Sequence, residues 1–132
     1  MKKILIVEDD PQIGKALAIR LKHCGYEVTV APDALSGVEM ALKERPDLAL
    51  LDISLPAGNG FTVAERIQTL LPKETPMIFL TASKQPGLRE KAMQMGAAAF
   101  FQKPYEADAL VAAIQLALAG PIQAEATPFY VL

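Results

Sequence analysis

Cysteine and histidine are almost missing from the chain: Cys24 and His23 are the only ones among 132 residues. A lone cysteine excludes an internal disulfide and a cysteine-rich zinc site. A lone histidine leaves no His-based metal cage and little freedom for a Ser–His–Asp triad. Positive charge is not in excess either. The formal net charge is −2, so no basic face is offered to a phosphate backbone, which argues against direct nucleic-acid binding. No apolar run approaches the roughly 20 residues of a membrane span. The N-terminal MKKILIVEDD carries four apolar residues, Ile4–Val7, before its acids, where a secretory core needs about 7–15. These absences lead to the expectation of a cytoplasmic protein with no membrane partner.

What is present is globular: 52% hydrophobic and 21% charged residues, in a length that suits one domain with a full core. Ile4–Val7, Leu48–Leu51, Met77–Leu80 and Ala97–Phe101 are short continuous apolar runs, and Tyr26–Ala31 is a mixed one. Such runs suit strands buried on both faces of a parallel sheet. Ala97–Phe101 is the weakest by propensity, because three alanines open it.

Helical patterns lie between them. Asp10 before Pro11 reads as an N-cap, with Ile13, Leu17, Leu21 and Cys24 at helical spacing and Gly25 as the stop. Asp33 caps a second pattern of Leu35, Val38 and Leu42, ended by Pro46. Val63, Ile67 and Leu70 mark a third, ended by Pro72. Leu88, Ala92 and Met95 lead to Gly96 in a fourth. A fifth runs from about Glu106 to Ala119, closed by Gly120–Pro121. Five strands alternating with five helices predict a doubly wound α/β domain over residues 1–120. Residues 121–132 lack a helical period and read as a C-terminal tail or the start of a linker.

In open parallel sheets, ligands bind beyond the carboxyl ends of the strands. There the sequence places Glu8, Asp9 and Asp10 after the first strand, Asp52 after the third, Thr81 after the fourth and Lys103 after the fifth. Singly, each has an ordinary explanation as a cap, a strand end or a solvated loop residue, and Asp10 fits the capping role best. Together they are a constellation. Carboxylates Glu8, Asp9 and Asp52 at about 5 Å would repel pairwise by roughly 3 kcal/mol at an effective dielectric near 20. One lysine cannot offset three carboxylates, whereas a hard divalent cation such as Mg²⁺ or Mn²⁺ can. A cation, an ammonium and a hydroxyl together suit a phosphoryl group.

At these residues the sequence resembles the CheY-like receiver domain of two-component response regulators. The resemblance rests on ILIVEDD at 4–10, LLDISLPAGNG at 50–60, FLTAS at 79–83 and FFQKP at 100–104, and covers about residues 2–120. It implies a flavodoxin-like five-stranded parallel sheet of order 2-1-3-4-5 with five helices. It implies Asp52 as phosphoacceptor and Asp9 as a direct metal ligand, with Glu8 acting through water and Ser54 through its backbone carbonyl. Lys103 and Thr81 would contact the phosphoryl group. Thr81 and Phe100 would form the switch, and Lys103–Pro104 would be a cis peptide. The implied partners are a sensor histidine kinase or phosphotransfer protein and an output domain or effector, reached through helix 4, strand 5 and helix 5. The chain departs from the usual pattern at Glu8, where Asp is common, at Phe100, which lacks the commoner phenol, and at Tyr105, where Phe is usual. The charged pattern that mediates dimers in the winged-helix class is largely missing.

Two other classes are weighed against this reading. An Asp-nucleophile phosphatase needs a second acid two residues on, and Ser54 stands there. A pseudo-receiver would bind partners without phosphorylation, yet all five site positions carry competent residues. P-loop and Rossmann signatures are absent.

Three further features have expectations attached. The fifth helix turns Leu110, Val111, Ile114, Ala117 and Leu118 to the sheet and Ala109, Ala112, Leu116 and Ala119 outward. Being apolar all round, its outer side reads as a contact surface for a dimer mate, an output partner or the Pro128–Leu132 tail; the alternative is that alanines simply favour helix. Cys24 is expected to be an inert core thiol and His23 a surface residue. Met93 and Met95 are expected to be packing residues, with a partner-surface role as the alternative for Met93.

Overall fold

The five apolar runs become strands, and their burial follows the sequence closely. The computed structural model describes residues 1–119 together with Tyr130–Val131. The elements are β1 (Lys3–Val7), α1 (Pro11–His23), β2 (Glu27–Ala31), α2 (Ala34–Glu44), β3 (Leu48–Asp52), α3 (Gly60–Leu70), β4 (Met77–Thr81), α4 (Leu88–Gln94), β5 (Ala99–Gln102), α5 (Ala107–Leu118) and β6 (Tyr130–Val131). A small antiparallel hairpin, Ser54–Leu55 with Gly58–Asn59, links β3 to α3. None of the described helices is long and apolar enough to cross a membrane.

The sheet is parallel throughout, in the order β2-β1-β3-β4-β5-β6. Its first five strands have the 2-1-3-4-5 order of the flavodoxin-like receiver fold, flanked by five helices. Strand side chains alternate between two cores. Leu5, Val7, Leu51, Phe79 and Phe100 meet α2, α3 and α4 on one face. Ile4, Ile6, Leu50, Ile78 and Phe101 meet α1 and α5 on the other. β3 and β4 are buried at all five residues each, as central strands covered on both sides must be.

Side chains cap the helices that follow β1, β2 and the hairpin. Asp10 accepts from the Gln12 and Ile13 amides, Asp33 from Ser36, and Asn59 from Thr62. Each satisfies N–H groups that the first helical turn leaves without partners.

Several local expectations are corrected. Of the expected stripe Leu35, Val38 and Leu42, Val38 packs against the core, but Leu35 and Leu42 are 65% and 40% exposed and the buried residues of α2 are Ala34, Gly37 and Ala41. Close approach explains it: a Cβ on Gly37 would lie 2.9 Å from Val7 Cγ2, so only small residues fit between this helix and the sheet. Cys24 is exposed, because it sits at the C-cap, outside the helical projection of α1. Met93 is also exposed, while Met95 packs against the core. β5 starts at Ala99, two residues later than the apolar run. On α5 the expected inward side holds, with Leu110 and Ile114 buried and Leu116 48% exposed on the outer side, but Ala109, expected outward, packs against the core and Ala113 is buried with it.

Most of the stretch read as a tail or linker, including the Gly120–Pro121 helix stop, lies outside the described residues. The exception is β6, which pairs with β5 at the sheet edge. A two-residue strand is too short to leave a periodic signature.

The start of the sheet is tied down by Asp47. Its amide donates to the Lys3 carbonyl at 2.7 Å, and its carboxylate accepts from the Lys3 amide at 2.8 Å and the Lys73 ammonium at 3.0 Å. The Lys3 amide chiefly, assisted by Lys73, holds this carboxyl below its ordinary value of 3.8 against the opposing effect of burial. A depressed carboxyl stabilises the fold above the ordinary value and loses that effect as pH falls through the folded one. Asp47→Ala is expected to cost about 1–2 kcal/mol at pH 7, with the deficit shrinking below about pH 4. Urea unfolding at several pH values checks this; a deficit unchanged at pH 3 would contradict it.

Candidate functional site

Four parallel strands end on one edge, and the ladder runs on past two of them. The Glu8 amide donates to the Ala31 carbonyl at 3.0 Å, and the Lys103 amide to the Thr81 carbonyl at 2.8 Å. These bonds fix the two residues as rigidly as strand positions. Glu8 is thereby buried, as is Asp52 at the end of β3, while Asp9 is exposed and Asp10 turns away to cap α1.

The Lys103 ammonium lies 2.8 Å from Glu8 Oε1 and 3.1 Å from Asp52 Oδ2. Asp52 Oδ1 accepts from the Ser54 amide at 3.1 Å, and Glu8 Oε2 from the Asp10 amide at 3.2 Å. Burial opposes the charge on Lys103, but hydrogen bonds and the charges of both carboxylates outweigh it and hold the ammonium above the usual lysine range. Glu8, Asp9 and Asp52 each present an oxygen, all within 4.8 Å of one another. At that spacing each ionised pair repels by about 3 kcal/mol at an effective dielectric near 20. Three hard oxygen donors, one of them on an exposed side chain, fit a hard divalent cation that keeps part of its water shell.

Thr81 is fully buried at the end of β4, and its hydroxyl accepts from the Ser83 amide at 3.0 Å. Phe100 is buried beside Phe79 in the neighbouring strand. Ser54 is exposed in the hairpin. The Lys103–Pro104 peptide is cis. The structure thus gathers Glu8, Asp9, Asp52 and Lys103 into one cluster. Thr81 sits one residue beyond the Asp52↔Leu80 pair.

The model of the response regulator receiver domain family matches residues 4–115. This chain belongs to that family. The receiver is 40% identical over 114 residues to the transcriptional regulatory protein DltR of Streptococcus agalactiae, covering 86% of this chain and 50% of that protein. It is 36% identical over 118 residues to PdtaR of Mycobacterium tuberculosis, covering 89% of this chain and 57% of that one. It therefore spans about half the length of these curated relatives. Among solved structures, a CheY-like receiver domain protein from Methanospirillum hungatei superposes with a TM-score of 0.84 at 32% identity, over 90% of this chain and 94% of that one. The BeF3-activated receiver domain of Klebsiella pneumoniae RstA gives 0.80 at 32% identity, over 88% and 97%.

Three parts of the receiver's site escape a reading of the sequence. The Glu8–Lys103 pair spans 95 positions and has no local pattern. Tyr105 stands edge-on to Phe101, with ring centroids 5.7 Å apart. Burial, with the charges of Glu8 and Asp52 helping and that of Lys103 opposing, pushes its phenol up. Gly60, at the start of α3, lies so close to β3 that a Cβ would collide with the Asp52 carbonyl oxygen. Its glycine neighbour at position 58 hints only at a turn.

Gly60→Ala must therefore move α3 or the end of β3. A loss of about 1–3 kcal/mol in unfolding free energy is expected, the usual cost of overpacking. An unchanged denaturation midpoint would show that the helix yields without cost.

Proposed function

We propose that this receiver accepts a phosphoryl group on Asp52 from the phosphohistidine of a sensor histidine kinase or a phosphotransfer protein, and so switches an output surface. The observation that carries this reading is the single ammonium held against Asp52 and Glu8 at 3.1 and 2.8 Å, beside a three-carboxylate cluster. An Asp52 oxygen attacks the phosphorus, the P–O bond forms, and the P–N bond to the donor imidazole breaks with its electron pair returning to nitrogen.

Asp9, Asp52 and the Ser54 backbone carbonyl would hold Mg²⁺ or Mn²⁺, with Glu8 acting through water. A bound cation there neutralises charge on the phosphoryl oxygens. Lys103 pairs with one such oxygen, and the Thr81 hydroxyl turns from the Ser83 amide to donate to another. Phe100, one strand over, completes the switch. No separate enzyme activity is proposed: the domain catalyses its own phosphorylation and the hydrolysis that reverses it. The output surface is placed around α4, β5 and α5, with the exposed Leu116 side of α5 as a candidate face for a second copy. The relatives are named as transcriptional regulators, which supports an output domain or effector as the other partner and the cytoplasm as the compartment.

Ser54 disfavours the phosphatase reading, since no acid stands two residues after Asp52. The filled positions at 8, 9, 52, 81 and 103 disfavour a pseudo-receiver.

Incubation with acetyl phosphate and Mg²⁺ is expected to give a label that alkali and hydroxylamine release, as from an acyl phosphate, and that Asp52→Asn or chelation abolishes. Undiminished labelling in either case would refute the mechanism. Asp9→Asn is expected to weaken Mg²⁺ binding at least about tenfold, while Asp10→Asn, which keeps a capping oxygen for the α1 amides, leaves both stability and Mg²⁺ binding nearly unchanged. Fluorescence or calorimetric titration checks the order, and a larger metal effect at Asp10 would reverse the assignment.

A further inference from the structure

β6 covers part of the β5 edge of the sheet, opposite the β2 edge. Ala99 pairs with Tyr130 and Phe100 with Val131 in parallel register. Without that strand, β5 would end the sheet with a row of unpaired N–H and C=O groups, a template for any extended segment. β5 is also tied directly to the acid cluster. It ends at Gln102, and the next residue, Lys103, carries the ammonium that touches Asp52 and Glu8. A cleft of about 510 Å³, lined by Ser83, Leu88, Phe100 and Gln102 among others, opens alongside.

We propose that Tyr130–Val131 is a built-in competitor strand, which caps the edge of β5 while Asp52 is unmodified and leaves it when Asp52 carries a phosphoryl group. The inference rests on the reading of Asp52 as phosphoacceptor. A phosphoryl group on Asp52 adds bulk and charge where the Lys103 ammonium now meets the carboxylate. In that reading the Thr81 hydroxyl turns to the new oxygens and Phe100 completes the switch, and Phe100 is the β5 residue that pairs with Val131, so the displacement reaches the β6 pairing directly. β5 is four residues long, and Phe100, the partner of Val131, lies three positions before Lys103. A change of register or tilt at that distance breaks a two-residue pairing first. Because the segment is tethered, it competes at an effective concentration on the order of millimolar. An extended segment of a protein partner gains the edge only once the tether's advantage is removed. Coupling is reciprocal: loss of β6 must favour the phosphorylated conformation as much as phosphorylation disfavours β6.

The test compares the full chain with the double variant Tyr130→Pro, Val131→Pro. In a parallel pair only alternate residues direct their N–H to a given neighbour, so the double change removes the donor whichever residue supplies it. Two measurements are made with Mg²⁺ present: amide hydrogen exchange over residues 99–102, and the affinity for beryllofluoride, a stand-in for the phosphoryl group on Asp52. In the unmodified full chain the outward amides of β5 are expected to be protected, and beryllofluoride to speed their exchange. The double variant is expected to exchange fast from the start and to bind beryllofluoride about fivefold more tightly, the low end of ordinary couplings between sites. If the full chain binds beryllofluoride with β5 exchange unchanged, or both proteins bind it equally, the competitor strand is overturned while the acceptor reading stands. If the full chain neither binds beryllofluoride nor labels with acetyl phosphate, the acceptor reading itself fails and takes the inference with it.

Discussion

One ammonium holds the functional edge together. Glu8 and Asp52 are 2% and 5% exposed, and two buried carboxylates facing each other without compensation would be strongly unfavourable. Lys103 meets both within 3.1 Å. It does so because β5 delivers it there, through a ladder bond that continues the β4–β5 pairing by one residue. Strand order, helix packing and loop lengths all serve that placement. Moving any of the strands β1, β3 or β5 by one residue would turn a carboxylate or the ammonium into the opposite core.

The acids on the edge divide their work by position. The Asp10 carboxylate accepts from two α1 amides, while the exposed Asp9 carboxylate stays with the cluster. Asn59 anchors α3 just before Gly60, and Gly60 lets that helix start against the Asp52 backbone. The result is a site in which the Asp52 carboxylate stands on a rigid strand end while Asp9 beside it stays exposed. Such an arrangement admits a donor from solvent without rebuilding the core.

Much of this was legible in the residues. Continuous apolar runs marked β1, β3, β4 and β5, because strands covered on both faces cannot alternate, and a mixed run marked the edge strand β2. The strand-end residues marked the site, because a doubly wound sheet collects its strand ends on one edge. What escaped was set by tertiary approach rather than by period. The α2 stripe failed where Gly37 packs on Val7, Cys24 failed where a helix ends one residue early, and the Glu8–Lys103 pair joins opposite ends of the chain. β6 escaped because two residues of edge pairing leave no pattern to read.

The central claim is that the charge balance around Lys103 exists to place a phosphoryl group on one carboxylate. Its most direct measurement is chemical mapping of the modified side chain. The protein is phosphorylated from acetyl phosphate with Mg²⁺, reduced with borohydride, digested, and sequenced by mass spectrometry. Reduction converts an aspartyl phosphate to homoserine, and homoserine at position 52 alone is the expected result. Reduction products at Glu8 or Asp9, or phosphate retained on Ser54, would contradict it.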